Sequence, residues 1–180
     1  MIRRIFPLGI SVWWPALFAA GVAAGCLIGA GSPGAVGGPF SGAFSGAGWP
    51  AVVPGQRVLS AVLIFARNSV VAAVCLALGR PTRGLYPAAV CFVNGVLVGG
   101  AVKLFEGMGV AWWKLGLVLV PHGVPELCAL FAACTAGVAA LSLRERFRRA
   151  VPGVLLVLAV AAAVEVSVSV SIRDWLVSAC

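Results

Sequence analysis

The sequence predicts an all-α fold, a polytopic transmembrane helical bundle that forms a single integral membrane domain over residues 1–180. Of the 180 residues, 62% are hydrophobic and only 10% are charged, whereas a soluble domain is about half apolar and about a quarter charged. So few polar side chains cannot cover a water-facing surface, and the lipid bilayer is therefore the expected solvent. The apolar residues also fall into runs of about 20, the length that a helix needs to cross the hydrocarbon core.

The first predicted span covers residues 8–30. This run is long for the hydrophobic part of a signal peptide, and further spans follow it, so we interpret it as a retained helix. Glycines spaced four residues apart form a ridge of small side chains, which favours close helix packing in lipid. The ridge consists of Gly21, Gly25 and Gly29. The uncharged, glycine- and proline-rich segment that follows, residues 31–56, is typical of an irregular loop.

Four further spans are predicted, over residues 58–79, 85–104, 124–143 and 151–172. Between the third and fourth spans, residues 105–120 are apolar but interrupted by glycines, and they include Trp112, Trp113 and Lys114. Tryptophan and lysine are typical of the membrane–water interface. We therefore predict a short interfacial or re-entrant helix over residues 105–120. Pro125 is consistent with the start of the fourth span, because proline is tolerated in a first helical turn.

The basic residues predict the orientation of the bundle. With five spans, three basic segments fall on one side of the membrane: Arg3 and Arg4, Arg80 and Arg83, and the arginines of residues 144–149. Cytoplasmic segments carry an excess of Lys and Arg. The opposite segments contain fewer bases, namely Arg57, Lys103, Lys114 and Arg173. We predict a multi-pass protein of the cell membrane, with its N-terminus cytoplasmic and its C-terminus extracytoplasmic.

Several polar side chains lie inside the predicted spans or at their ends. They are Arg67, Asn68, Asn94, His122, Glu126 and Glu165. A charge at the bilayer centre costs about 2.5–3.5 kcal/mol on insertion scales, so such residues face the bundle interior, pair with one another or line a cavity. Depth along the spans favours Arg67 as the partner of Glu165. Two interpretations stay open: the set holds the helices together, or it forms a polar path or a docking site for a membrane substrate.

Few residues suggest metal binding or catalysis. His122 and Glu126 are four residues apart, but a zinc site needs at least a third ligand. No two cysteines have a C-x-x-C spacing, and a cysteine in an apolar run behaves as a small hydrophobic residue. No serine or cysteine has a deep histidine partner, and no nucleotide-binding motif is present. We expect no catalytic residue, no metal and no cofactor, and any ATP-driven step would come from a partner chain.

The net charge of +8 could indicate a nucleic-acid-binding protein. The bases are scattered between apolar runs rather than clustered on one segment, so membrane orientation explains them better, and we expect no nucleic-acid partner.

Residues 121–127, with the sequence P-H-G-V-P-E-L, carry a family resemblance together with three weaker segments in the expected order. The weaker segments contain Asn68, which follows Arg67; Asn94 and Gly95, with Gly99 four residues later; and Glu165 in A-A-V-E. With these pieces the chain resembles the stage II sporulation protein M family over about residues 58–170. The resemblance marks Asn68, Asn94, Gly95, His122, Gly123, Glu126 and Glu165 as family-motif positions. Arg67 departs from it, since many relatives have a neutral residue there.

The resemblance implies a multispanning membrane protein without established catalytic activity. One branch of the family acts in sporulation as a membrane scaffold that recruits cell-wall-degrading enzymes, and other relatives are encoded beside ATP-binding transporter subunits. We therefore expect a non-enzymatic subunit or scaffold of a membrane complex, transport-linked or cell-envelope-linked, whose basic residues 144–149 dock an acidic partner. The alternative is an autonomous small transporter or channel that works as a homo-oligomer, with Arg67, Asn94, Glu126 and Glu165 along its path. A membrane-embedded enzyme is a third class, for which the chain offers no recognisable nucleophile or metal set.

Overall fold

Five long helices make up the described part of the protein. The computed structural model describes residues 11–31, 54–107, 110–165 and 167. The helices are α1 (Trp13–Gly31), α2 (Pro54–Leu78), α3 (Leu85–Gly107), α4 (Trp112–Val138) and α5 (Leu143–Val164). All five are long and apolar enough to cross a membrane, and the described residues contain no β-strand. The predicted fold class is therefore confirmed.

The connection between α3 and α4 differs from the prediction. Residues 105–120 do not form a separate helix, because Phe105 to Gly107 end α3 and Trp112 already begins α4. The prediction took Pro125 as the sign of a helix start, but Pro121 and Pro125 both lie inside α4. Transmembrane helices tolerate internal proline, since neighbouring groups satisfy the freed carbonyls. The fourth span therefore begins before residue 124, where the sequence placed its start.

The first turns of α5 also differ from the prediction. The basic residues 144–149 lie inside this helix and not in a loop, because Ser142 caps its start by accepting a hydrogen bond from the Glu145 backbone N–H at 3.3 Å. Glu145 in turn pairs with Arg148 at 2.9 Å and with Arg149 at 2.6 Å. Such a cap and its one-turn ion pairs stabilise a helix start in water. Most of the predicted loop 31–56 and the end of the predicted fifth span, residues 168–172, lie outside the described residues.

Glycines hold α1 and α3 together as a parallel pair. Gly25 on α1 and Gly99 on α3 lie against the other helix so closely that neither has room for a side chain. A Cβ atom at Gly25 would lie 2.2 Å from the Val96 carbonyl oxygen, and one at Gly99 would lie 2.1 Å from that of Val22. The two backbones are thus in direct contact, as in other small-xxx-small packings. Gly21 faces α3 in the same way, so the structure confirms the predicted packing role for these two ridge glycines.

Helices α2, α4 and α5 form a second group around a small apolar core. Its buried members are alanine, leucine and valine side chains, among them Ala72, Leu76, Ala133, Val154 and Leu158. Alanine lets the helices approach closely, and α2 and α4 are in direct backbone contact at Gly137, where a Cβ atom would lie 2.2 Å from the Cys75 carbonyl oxygen.

The two groups of helices meet near the end where α1 begins and α4 ends. The Trp14 indole N–H donates to the Thr135 hydroxyl at 2.9 Å, and the rings of Phe18 and Phe131 pack edge to face with centroids 6.1 Å apart. The thiols of Cys91 and Cys134, both fully buried, lie 3.7 Å apart. These contacts join the groups at one level of the bundle, and a cavity lies between them further along.

A polar cavity inside the bundle

One cavity, of about 340 Å³, gathers most of the polar side chains that the sequence placed inside the spans. We call it the polar cavity. Its polar lining residues are Arg67, Asn68, Asn94, His122 and Glu126, and Gly123 lines it too. Apolar side chains complete the wall: Phe18, Val71, Val98, Leu119, Val120, Val124, Leu127, Leu130 and Leu158. These residues come from all five helices, so the site exists only when the whole bundle is assembled.

Helix α2 contributes a guanidinium and an amide from adjacent positions. Arg67 is exposed, and Asn68 is half-buried. Asn68 and Arg67 both lie close enough to Glu126 on α4 to interact with its carboxylate. Since α2 and α4 run parallel, Asn68 and Glu126 lie at one level just as Cys75 and Gly137 do further along. The polar residues Asn68 of α2 and Glu126 of α4 therefore lie at the same depth in the bundle.

Helix α4 contributes an imidazole and a carboxylate one turn apart. His122 pairs with Glu165, whose Oε2 atom lies 2.6 Å from the imidazole Nδ1 atom. The exposed fractions of the two side chains are 15% and 27%, so the pair is largely shielded. Glu165 follows directly on the end of α5, which places it beside the cavity through His122. The charge of Glu126 also interacts with those of His122 and Glu165.

The observed partner of Glu165 differs from the partner that depth along the spans predicted. Arg67 was the expected partner of Glu165, whereas the ion pair that the described residues show joins Glu165 to His122. Glu165 directly follows Val164, the last α-helical residue of α5 among the described residues, and its own backbone is still helical. His122 lies three residues into the spanning part of α4, Leu119–Val138, where it lines the polar cavity. Depth gives the level of a residue and not the face of the helix on which it lies.

Helix α3 uses adjacent residues for two different purposes. Asn94 lines the cavity, and its side-chain amide donates to the Val90 carbonyl one turn earlier at 2.8 Å. Gly95 faces the other way, where a Cβ atom would lie 2.2 Å from the Phe18 carbonyl oxygen of α1. Among the predicted site residues, Gly95 is therefore a packing residue. Gly123, in contrast, is not at a close helix contact, since a Cβ atom there would have no neighbouring atom within 4 Å.

The arrangement can bind or pass a polar group, but it does not resemble a metal site. One carboxylate, an imidazole, a guanidinium and two amides stand around an otherwise apolar space, where charges interact more strongly than in water. Within the described residues, no group of three or more His, Cys, Asp or Glu side chains could hold a metal ion. The sequence did not single out the wall residues Phe18 and Leu158, because every face of a membrane helix is apolar and periodicity gives no signal.

The contact between His122 and Glu165 predicts an energetic coupling that a double-mutant cycle would measure. We expect His122→Ala and Glu165→Gln each to lower the free energy of unfolding in detergent micelles, and the double variant to lose less than the sum. A coupling of about 1–2 kcal/mol is expected for a shielded pair in contact. Lys103 and Glu106, an exposed pair at 2.7 Å, are the matched control and should couple by under about 1 kcal/mol. Strictly additive losses for His122 and Glu165 would contradict the contact.

Together, the helices and the cavity define a class: a polytopic α-helical membrane protein whose described residues form five spanning helices around an intramembrane polar cavity. A family model, stage II sporulation protein M, matches residues 14–170. That match covers most of the 180 residues, and the chain belongs to the stage II sporulation protein M family. No curated protein and no solved structure matches it.

Proposed function

We propose that the protein is a non-enzymatic subunit or scaffold of a membrane complex, transport-linked or cell-envelope-linked, and that it binds an acidic partner protein through one end of the bundle. Membership of the stage II sporulation protein M family supports a membrane role. Nearly all described residues belong to spanning helices, so within this part of the chain the contacts with a partner outside the bilayer would fall on the helix ends.

The observation that supports this proposal best is a surface of exposed arginines where α2, α4 and α5 meet. We call it the basic end, and it consists of Arg80, Arg83, Arg144, Arg148 and Arg149, all exposed. A guanidinium hydrogen bond from Arg80 to the Leu141 carbonyl, at 3.3 Å, links the α2–α3 connection to the α4–α5 connection. The one carboxylate of this surface in the described chain is Glu145, which cannot neutralise the whole set. The excess positive charge fits an acidic partner and the cytoplasmic side of the membrane.

The opposite end of the described bundle is less basic. Lys103 pairs there with Glu106 at 2.7 Å, and Lys114 lies 5.8 Å from the centre of the Trp113 ring. Trp113 and its exposed neighbour Trp112 are typical of a membrane interface. The asymmetry between the ends supports a cytoplasmic location for the basic end, and hence for the N-terminus.

Replacing arginines at the basic end tests the docking proposal. We expect Arg83→Gln with Arg144→Gln to reduce the amount of partner that co-purifies from native membranes by about tenfold, because two rim charges contribute on the order of 1 kcal/mol or more to a charged interface. Quantitative mass spectrometry of the eluate measures the loss. Glutamine keeps most of the side-chain length and removes only the charge.

The control for this experiment is Lys114→Gln at the opposite end, which should leave partner recovery unchanged. Orientation must be checked as well, since arginines direct topology; protease accessibility of a C-terminal tag in spheroplasts serves for each variant. If the double glutamine variant keeps its orientation and still recovers the partner in full, docking through the basic end is wrong.

A second candidate function is an autonomous transporter or channel that works as a homo-oligomer, and the polar cavity is what favours it. Charged groups inside membrane helices often mark substrate or ion pathways. Flux through proteoliposomes that contain only this chain tests the idea. If the protein is an autonomous transporter or channel, Glu126→Gln should reduce flux strongly, whereas Glu106→Gln, which lies away from the cavity, should not. If the unaltered protein shows no flux, the result favours a subunit of a larger complex over an autonomous transporter.

A further inference from the structure

Arg67 occupies a position that hydrocarbon does not stabilise. It is exposed, and it lies six residues into the span Ala61–Leu78, which is roughly 9 Å along the helix axis at about 1.5 Å per residue. A charged side chain at such a depth faces water, a partner charge or a polar ligand, because contact with acyl chains is costly. The wall of the polar cavity includes Arg67, so the cavity is where its charge is stabilised.

The polar cavity opens at the surface of the bundle, at the level of the lipid. Besides Arg67, its lining includes Val120 and Val124, whose exposed fractions are 57% and 50%. Both valines belong to the spanning part of α4, Leu119–Val138. A molecule that enters beside them comes from the bilayer and brings an apolar part with it. The enclosed wall also offers apolar contacts, through Val71 and Leu127 among others.

The charges of the cavity are of both signs and lie on different helices. The guanidinium of Arg67 on α2 suits an anionic oxygen such as that of a phosphate. The carboxylate of Glu126 on α4 suits an ammonium group, and the amide of Asn94 on α3 adds a neutral polar group across the cavity. A ligand with only one charge would leave either the guanidinium or the carboxylate without a new partner. A zwitterion with an apolar tail satisfies both charges and the wall.

We propose that the polar cavity binds the headgroup of a membrane phospholipid that carries a primary ammonium group. The phosphate pairs with Arg67, the ammonium group donates to Glu126, and the acyl chains leave past Val120 and Val124 into the bilayer. The volume of about 340 Å³ is within the range of small-molecule sites, roughly 300–1,000 Å³. This inference does not depend on the proposed partner or on the basic end, and it assigns a binding site to the cavity itself.

Photolabelling with three lipids tests this site. The purified, delipidated full-length protein would be incubated with phosphatidylethanolamine, phosphatidylcholine or phosphatidylglycerol, all with the same photoreactive acyl chain. Phosphatidylcholine keeps a cation but has no N–H to donate, and phosphatidylglycerol has no cation. We expect phosphatidylethanolamine to label peptides of the cavity wall about tenfold more than either of the others, the effect of one charge-assisted hydrogen bond.

Two variants separate the roles of the charges, and each keeps a neutral polar side chain of similar size. Glu126→Gln should lower labelling by phosphatidylethanolamine to the level of the other two lipids, while Arg67→Gln should lower labelling by all three about tenfold. Lys114→Gln and Glu106→Gln, both outside the cavity, should label like the unaltered protein. Loss of headgroup preference at unchanged phosphatidylglycerol labelling cannot come from simple misfolding.

Three results would overturn the proposal. Equal labelling by the three lipids would show that the ammonium group is not recognised, and labelling confined to peptides outside the cavity would place the lipid elsewhere. Competition by soluble ethanolamine phosphate as strong as that by the unlabelled lipid would show that the apolar part contributes nothing, and that the ligand is a free zwitterion and not a membrane lipid.

Discussion

Replacing Arg146 by alanine is expected to lower the free energy of unfolding by about 3 kcal/mol, since each hydrogen bond to a charged group contributes about 1.5–3 kcal/mol. Arg146 is only 5% exposed. Its guanidinium Nη1 atom donates to the Leu76 carbonyl at 2.7 Å and to the Gly137 carbonyl at 2.6 Å. These carbonyls belong to the last turns of α2 and α4, where the helix dipoles favour a cation. Alanine would leave both carbonyls buried and unbonded.

Denaturant unfolding in micelles, followed by circular dichroism, measures this loss. Arg144→Ala is the matched control, because that side chain is exposed on the same helix, and its effect should stay within about 0.5 kcal/mol. Arg146→Lys should fall between the two, since an ammonium group keeps the charge but lacks the fork geometry of guanidinium. Equal stability of the Arg146→Ala and Arg144→Ala proteins would contradict the role of Arg146 in joining α2, α4 and α5.

Replacing Gly99 by alanine is expected to destabilise the protein by about 2–3 kcal/mol, as overpacking in a tight core does. The added methyl group would lie 2.1 Å from the Val22 carbonyl oxygen and 2.9 Å from the Cys26 backbone nitrogen. Both atoms are backbone, so relief requires α1 and α3 to move apart along their length. The loss should appear even though alanine forms helices better than glycine by about 1 kcal/mol.

The matched control for this change is Gly116→Ala in α4. A Cβ atom at Gly116 would meet nothing within 4 Å, so only helix propensity changes, and the protein should gain up to about 1 kcal/mol of stability. The two alanine substitutions therefore have opposite expected signs in the same unfolding assay. A neutral or stabilising effect of Gly99→Ala would mean that α1 and α3 are not packed backbone to backbone.

Much of this fold could be predicted from composition and run length, because a spanning helix needs about 20 apolar residues and little else satisfies its backbone in lipid. The number of spans and the packing glycines Gly21 and Gly25 followed from such patterns. Helix limits were harder to predict. Prolines inside α4 suggested a start, and the charges of residues 144–149 suggested a loop, although proline is tolerated in membrane helices and charges at a helix end can still be helical.

The candidate site could be predicted in part. The cost of polar and charged groups in the membrane identified six residues that face the interior, pair or line a cavity: Arg67, Asn68, Asn94, His122, Glu126 and Glu165. The structure places the first five around one cavity and pairs Glu165 with His122. The partners of these residues could not be predicted, because pairing depends on how each helix is rotated about its axis. A helix that is apolar on every face gives no sequence pattern from which that rotation could be read. The burial of Arg146 was missed for a similar reason, since nothing in a run of arginines distinguishes the one that faces inward.

The central claim, that this chain is a subunit that acts with a partner protein, is tested most directly by purifying the tagged protein from its native membrane in mild detergent and identifying what accompanies it by mass spectrometry. The proposal predicts a second protein in near-stoichiometric amount: an ATP-binding subunit would identify a transport complex, and a cell-wall hydrolase would identify an envelope scaffold. Recovery of this chain alone, as a stable homo-oligomer, would contradict the claim and favour the autonomous transporter.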